Sequence, residues 1–211
     1  MISKRIKEIA AFIPPAKTIA DIGCDHGYLI IEAFLKHNIT YALAVDNKEK
    51  PLAFAARHIK KYPFFKNVRF SLSSGLSDVK EDFDVIILSG MGGINALDII
   101  KATPSVNTRL IVQANRNRYQ LRKGLSALDY AITREKIIKD GAHIYEIIEF
   151  TPGIKVAYTE AEMQFGPILI KEKSRLFIKK LREQHRLLLS ISRHTPEAKI
   201  KIVMIEKILC L

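Results

Sequence analysis

The stretch Ala20-Asp21-Ile22-Gly23-Cys24-Asp25-His26-Gly27-Tyr28-Leu29 decides the fold. An apolar run from Thr18 to Ile22 leads into two glycines and three polar side chains, and a helical pattern begins at once. In a chain that alternates β and α, such a turn lies at the carboxyl edge of a parallel sheet, where ligands bind. Gly23 and Gly27 allow close backbone approach, and the free amides of the following helix N-terminus suit a carboxylate. The dinucleotide fingerprint Gly-x-Gly-x-x-Gly is absent, because Asp25 stands at its second glycine. A pyrophosphate would meet a carboxylate there, whereas an amino group would be attracted by Asp21 and Asp25. The loop therefore fits the zwitterionic end of an amino-acid-bearing nucleoside better than a diphosphate.

Working outward, short β-branched runs recur at Tyr41 to Val45, Val68 to Leu72, Val85 to Leu88 and Leu110 to Gln113, with helical stretches between them. Continuous apolar strands such as Asp84 to Leu88 suit a parallel sheet covered on both faces, so the expected class is α/β, doubly wound. Two further runs, Tyr130 to Ile138 and His143 to Phe150, flank Asp140-Gly141, a hairpin signal. Ahead of the sheet, Ser3 caps a predicted helix carrying Ile6, Ile9, Ala10 and Ile13, which Pro14-Pro15 ends.

The strand ends carry the other candidate residues. Asp46, followed by Asn47, lies 23 residues after Gly23, near the spacing at which an acid meets a ribose hydroxyl. Taken singly, Asp25 also reads as a helix cap and Asp46 as a strand end; at successive strand ends together, they favour a nucleoside cofactor. Ser89-Gly90-Met91-Gly92-Gly93 holds three glycines in four residues, which permits close approach to a flat base, although Met91 also reads as a core filler. Gln113-Ala114-Asn115 places amides able to read a base edge beside the basic run Arg116-Asn117-Arg118.

The chain has 211 residues and a formal charge of +12, which points to a polyanionic partner. The charge is concentrated late in the sequence. From Lys171 to Lys201 there are ten Lys or Arg against three Asp or Glu, a net charge of +7. Phe177, Leu181, Leu188 and Ile191 recur at helical spacing there, and Thr195-Pro196 starts a second helix ending near Leu209, so a helical hairpin is expected. Cys24 and Cys210 are too few and too far apart for a disulfide framework or a metal site. The N-terminus lacks the apolar run of a secretory signal, and charged residues interrupt every hydrophobic stretch. The expectation is a cytoplasmic monomer, with no metal and no membrane association.

With Leu110-Ile-Val-Gln-Ala-Asn115 and Phe165-Gly-Pro-Ile-Leu169 added to the loops at 20–29 and 89–93, the chain resembles the bacterial tRNA (adenine-N1)-methyltransferase family acting on adenine 22. The resemblance runs over essentially the whole chain. It implies a seven-stranded Rossmann-like class I methyltransferase domain (1–156) and a helical, coiled-coil-like tRNA-binding domain (157–211). The implied cofactor is S-adenosyl-L-methionine and the implied partner tRNA. Carried over, Asp21, Gly23, Cys24, Asp25, His26 and Gly27 surround the methionine end, and Asp46 with Asn47 the ribose. Ser74, Gly75 and Leu76 adjoin the adenine, and Ser89, Gly90 and Met91 the methyl. Asp25, His26 and Tyr28 are the catalytic candidates: Asp25 to stabilise charge on the base, His26 to accept a proton, Tyr28 to stack or simply to pack. Gly92, Gly93, Gln113, Asn115, Arg116 and Arg118 would meet the substrate, with Lys173, Arg175, Lys179, Lys180 and Arg182 on phosphates. The chain departs from the family pattern at Ser73-Ser74-Gly75-Leu76, where Gly-Asp-Gly-Leu is usual, and at Ala114, often proline. The first departure removes a carboxylate contact to the cofactor's adenine amino group. A methyltransferase for a protein or small metabolite, a nicotinamide oxidoreductase, and a non-catalytic RNA-binding module are the alternatives.

Overall fold

The computed structural model describes residues 2–77, 79, 81–103, 107–191 and 195–211. Arg193, counted in the basic segment, lies outside the described residues. The chain forms two compact units, Met1–Ala157 and Tyr158–Leu211.

Unit 1 is built on seven strands: β1 (Thr18–Ile22), β2 (Tyr41–Asp46), β3 (Val68–Leu72), β4 (Val85–Gly92), β5 (Arg109–Arg116), β6 (Tyr130–Asp140) and β7 (His143–Pro152). They lie in the order β3-β2-β1-β4-β5-β7-β6. The first five run parallel, and β7 pairs antiparallel with both β5 and β6. The fold is a doubly wound, Rossmann-like α/β sheet, with helices α1 (Lys4–Ala10), α2 (Tyr28–Lys36), α3 (Glu49–Ile59), α4 (Gly93–Ala102) and α5 (Arg118–Ser126) between and before the strands. Ile19, Ala20, Leu43, Val45, Ile87 and Leu88 are all buried, neighbours in sequence included, as expected of strands covered on both faces. Strand order reverses between β1 and β4, which opens a crevice at their carboxyl ends.

Two strands run further than their apolar residues. β4 continues through Ser89, Gly90, Met91 and Gly92, with register shifts against β5 on either side of Met91. Backbone pairing needs no apolar side chain, and Gly90 at φ +79° supplies the left-handed conformation that the bulge requires. Gln113, Asn115 and Arg116 likewise lie within β5 rather than beyond it.

The β6–β7 hairpin turns at Gly141 and is tied to α5 by a buried ion cluster. Arg122, with no solvent exposure, donates to Glu135 on β6 at 2.8 and 3.0 Å and to Glu146 on β7 at 2.7 Å. Burial disfavours the guanidinium charge, but Glu146 and Glu135 more than offset it, so the pKa of Arg122 rises. Ser3 caps α1 by accepting the Ile6 N–H.

Unit 2 holds α6 (Glu160–Phe165), α7 (Pro167–Glu172), α8 (Arg175–Leu189) and α9 (Pro196–Leu209). A capping box between Thr159 and Glu162 starts α6. Thr195 caps α9 by accepting the Ala198 N–H. His185 on α8 bonds Glu206 on α9 at 3.0 Å. Phe177 and Leu181 are buried as their spacing suggested, but Ile191 is exposed and lies past the end of α8. The helix stops two residues short of the end of the apolar repeat, where the Ser190 hydroxyl donates to Leu187 O. No described helix is long and apolar enough to cross a membrane, and no described group of three His, Cys, Asp or Glu side chains is placed to hold a metal.

Candidate active site

The crevice at the switch point is a cleft of about 750 Å³, within the usual range for small-molecule sites. Its floor is the loop after β1. Gly23 (φ +79°), Asp25 (φ +48°) and Gly27 (φ +72°) all adopt the left-handed conformation, which folds the loop tightly enough for the amides of Gly23 and Cys24 to share Val45 O. A Cβ on Gly27 would fall 2.9 Å from Ile59 Cδ1 and 3.3 Å from Ala55 Cα, so glycine here lets α2 pack directly on α3.

Asp21 dominates the electrostatics. It is 1% exposed, and its Oδ1 has no hydrogen-bond partner among the described residues. Burial first, then the charges of Asp46 and Asp25, push its carboxyl up to about 7. Asp46 is held differently: Oδ2 accepts the Asp25 N–H at 3.2 Å and Oδ1 the Lys48 N–H at 3.0 Å. These bonds fix the second carboxylate at the end of β2. Asp25 itself is exposed, 3.6 Å from His26 Nε2. Burial, followed by the same carboxylates, raises the Cys24 thiol, so it stays protonated and unreactive.

Three carboxylates on one wall, one of them buried and unpaired, form a site for a cation. The N-terminus of α2 has no side-chain cap, so its amides remain open to an anion. A ligand carrying an ammonium and a carboxylate on adjacent atoms satisfies both. A diphosphate does not.

Residues 2–148 match the family described as "Methyltransferase domain". The tRNA (adenine(22)-N(1))-methyltransferase of Bacillus subtilis (strain 168) is 32% identical over 188 residues, which cover 85% of this chain and 79% of that protein. The chain belongs to this tRNA (adenine(22)-N1)-methyltransferase family. Among solved structures, the B. subtilis m1A22 tRNA methyltransferase TrmK superposes with a TM-score of 0.84 at 28% identity, over 99% of each chain. M. capricolum TrmK, in complex with the cofactor product S-adenosyl-homocysteine, superposes with a TM-score of 0.87 at 28% identity, over 100% of this chain and 98% of that one.

For this tRNA (adenine(22)-N1)-methyltransferase family member, the residues singled out from sequence separate into three groups. Asp21, Gly23, Cys24, Asp25, His26, Tyr28, Asp46, Asn47, Ser74, Ser89, Gly90 and Met91 all line the cleft. Met91 and Gly23 face each other, with a Cβ on Gly23 falling 3.3 Å from Met91 Cε.

A second group lies outside the lining of the cleft. Gly27, Gly75, Leu76, Gly92, Gly93, Gln113, Asn115, Arg116 and Arg118 are not among the lining residues. Leu76 is buried, and Gly75 sits in a turn closed by Ser73 Oγ, which accepts the Gly75 N–H. Gly93 starts α4 against α5, where a Cβ would fall 2.4 Å from Asn117 O, so close packing accounts for that glycine. Gln113 is fully buried: its Oε1 accepts the Gly90 N–H at 3.2 Å, and its amide donates to Asn115. Asn115 in turn donates to Gly90 O at 2.7 Å. The two amides thus brace the β4 bulge from the next strand. Arg118 donates to Ala114 O and Asn115 O and pairs with Glu146 at 3.3 Å, which gives its guanidinium a task within the fold.

The third group lies in unit 2, where Lys173, Arg175, Lys179 and Arg182 line one groove with Arg186 and Lys180 stands outside its lining. Sequence reasoning missed, as site residues, the cap Ser3 and Arg5 and Ile6 of α1, which reach the cleft, and Lys48, Pro51, Asn95 and Ile99. Arg5 Nη1 donates to Gln113 Oε1 at 3.4 Å, 108 residues away in the chain, a separation that leaves no local signal.

Proposed function

We propose that the cleft binds S-adenosylmethionine with its methionine end at Asp21 and its ribose at Asp46, and presents the methyl group to N1 of adenine 22 of tRNA. The observation that carries this reading is the buried, unpartnered carboxylate of Asp21, backed by Asp25 and Asp46 at the switch point. Such a group is costly to keep charged without a cation, and an ammonium supplies one. The open amides of α2 then take the methionine carboxylate. The bound cofactor supplies an electrophilic methyl on a sulfonium.

The protein's own contribution is alignment and electrostatics. Adenine N1 carries an in-plane lone pair, so no base is required before attack. Holding the two reactants in line accounts for up to roughly 7 to 11 kcal/mol in well-oriented systems. Gly90 and Met91, fixed by Gln113 and Asn115, form the wall beside the methyl. Positive charge moves onto the adenine as the C–S bond breaks, and Asp25, exposed at the cleft and near His26, stabilises it. Because N1 lies on the Watson–Crick edge, the adenine enters unpaired or flipped, with Tyr28 beside it. In this reading His26, which lines the cleft, accepts a proton from the methylated base.

Lys173, Arg175, Lys179, Arg182 and Arg186 offer five cations in one groove of unit 2, chemistry suited to an RNA backbone. A substrate of this kind places the enzyme in the cytoplasm. The test is incubation with methyl-labelled cofactor and two tRNA transcripts, one with adenine and one with guanine at position 22. Label in 1-methyladenosine from the first transcript only is expected. Equal labelling of both, or none, overturns the reading.

A further inference from the structure

Helix α3 buries only Ala55 and Ile59, and it leaves the phenyl ring of Phe54 40% exposed. That ring is part of a cluster. Its centroid lies 5.6 Å from His26, and the Arg57 guanidinium sits over it at 4.5 Å. His26 is 5.9 Å from Tyr28 and 5.9 Å from His58, and Tyr28 is 5.2 Å from His58. Tyr28 is also 36% exposed. His58 Nδ1 donates to His26 O at 3.1 Å, and the close approach of Gly27 to Ala55 fixes α2 on α3, so the rings are held on a rigid support. His26 and Tyr28 line the cleft; Phe54, Arg57 and His58 do not. The aromatic surface therefore begins at the cleft and continues outside it.

Two exposed rings, Phe54 and Tyr28, with the half-buried His26 and His58 between them serve no core, because a core would cover Phe54 and Tyr28. Nor are they a neutral apolar patch, since Lys48, Lys50, Arg57, Lys60 and Lys61 are exposed along the same helix and its ends. Flat π surfaces set among cations are the chemistry that holds single-stranded nucleic acid: bases stack on rings and on guanidinium planes while lysines meet phosphates.

We propose that Phe54, Arg57 and His58 extend the active site outward as a stacking platform for a nucleobase flanking the methylated adenine, so that the target enters the cleft while its neighbour rests on α3. The inference rests on the reading of the cleft as a tRNA methyltransferase site. It assigns to α3 a recognition task separate from cofactor binding.

The test measures steady-state methylation of tRNA by Phe54→Ala, Phe54→Tyr and Phe54→Leu beside the wild type, with cofactor affinity and thermal unfolding in parallel. Loss of one base–aromatic stack predicts that Phe54→Ala raises KM for tRNA about ten- to hundredfold with cofactor affinity unchanged. Phe54→Tyr restores KM and Phe54→Leu does not. A transcript carrying 2-aminopurine beside the target adenine is quenched on binding the wild type and stays bright with Phe54→Ala. An unchanged KM in Phe54→Ala, or rescue by Leu as complete as by Tyr, reduces Phe54 to packing and overturns the platform while the active wild type upholds the cleft. A wild type that neither binds cofactor nor methylates tRNA instead overturns the reading on which the platform rests.

Discussion

If the cofactor's ammonium seats at Asp21 as proposed, cofactor binding is coupled to ionisation of that carboxyl, and the coupling has a calculable size. Its carboxyl is raised from 3.8 to about 7, first by burial and then by Asp46 and Asp25. A rise of about 3 units at 1.36 kcal/mol each makes the ionised form cost about 4 kcal/mol in the empty protein. The folded state binds more protons than the unfolded between about pH 4 and 7, so stability of the empty protein falls as pH rises through that window and levels off above it. An ammonium ligand selects the ionised form. With a pKa near 7, only about one-eleventh of the protein is ionised at pH 6, so affinity is about tenfold weaker at pH 6 than at pH 8, and binding at pH 6 releases close to one proton. Isothermal titration with S-adenosylhomocysteine, in buffers of differing ionisation enthalpy, measures both quantities. Asp21→Asn is the control: it binds the ligand weakly, loses that proton release and raises the melting temperature of the empty protein at pH 8. Equal proton release from wild type and Asp21→Asn, or a wild-type affinity that is flat from pH 6 to 8, refutes the reasoning.

Other outcomes follow from the same structure. Arg122→Ala removes the buried cation that Glu135 and Glu146 share, leaving Glu146 its pair with Arg118, and costs about 3 to 5 kcal/mol in denaturant unfolding, with Glu135→Gln milder. Gly93→Ala drives a methyl against the Asn117 carbonyl and loses about 1 to 3 kcal/mol of stability, while the affinity for cofactor of the folded protein stays at the wild-type value. Asp25→Asn, chosen because asparagine tolerates the left-handed backbone at this position, lowers kcat about tenfold or more and cofactor affinity by less; parallel loss of both in calorimetry reassigns Asp25 to the cofactor. Replacing Lys173, Arg175, Lys179 and Arg182 by Ala flattens the dependence of log tRNA affinity on log salt by up to roughly 0.7 to 0.9 for each phosphate that is no longer neutralised, which filter binding at several salt concentrations reads directly.

The parallel strands were legible in the sequence because strands buried on both faces need unbroken apolar runs, and Thr18 to Ile22 and Val85 to Leu88 have them. The cleft floor was legible too, since two glycines and three carboxylates at successive strand ends leave few other arrangements. What stayed hidden depends on tertiary partners. Nothing local to Arg118 or Arg122 shows that Glu146 waits on the β6–β7 hairpin, so their pairing with it is not legible in the sequence. Gly93 looks like a site glycine because its constraint comes from Asn117 across a helix contact. The exposure of Phe54 is likewise set by tertiary packing, because helical spacing does not tell which apolar positions the fold leaves uncovered.

A crystal structure of the protein grown with S-adenosylhomocysteine tests the central assignment most directly. The ligand's ammonium within hydrogen-bond distance of Asp21, its carboxylate at the start of α2 and its ribose hydroxyls on Asp46 are the predicted result. A ligand seated with Asp21 still unpartnered, or bound away from the ends of β1 and β4, contradicts it.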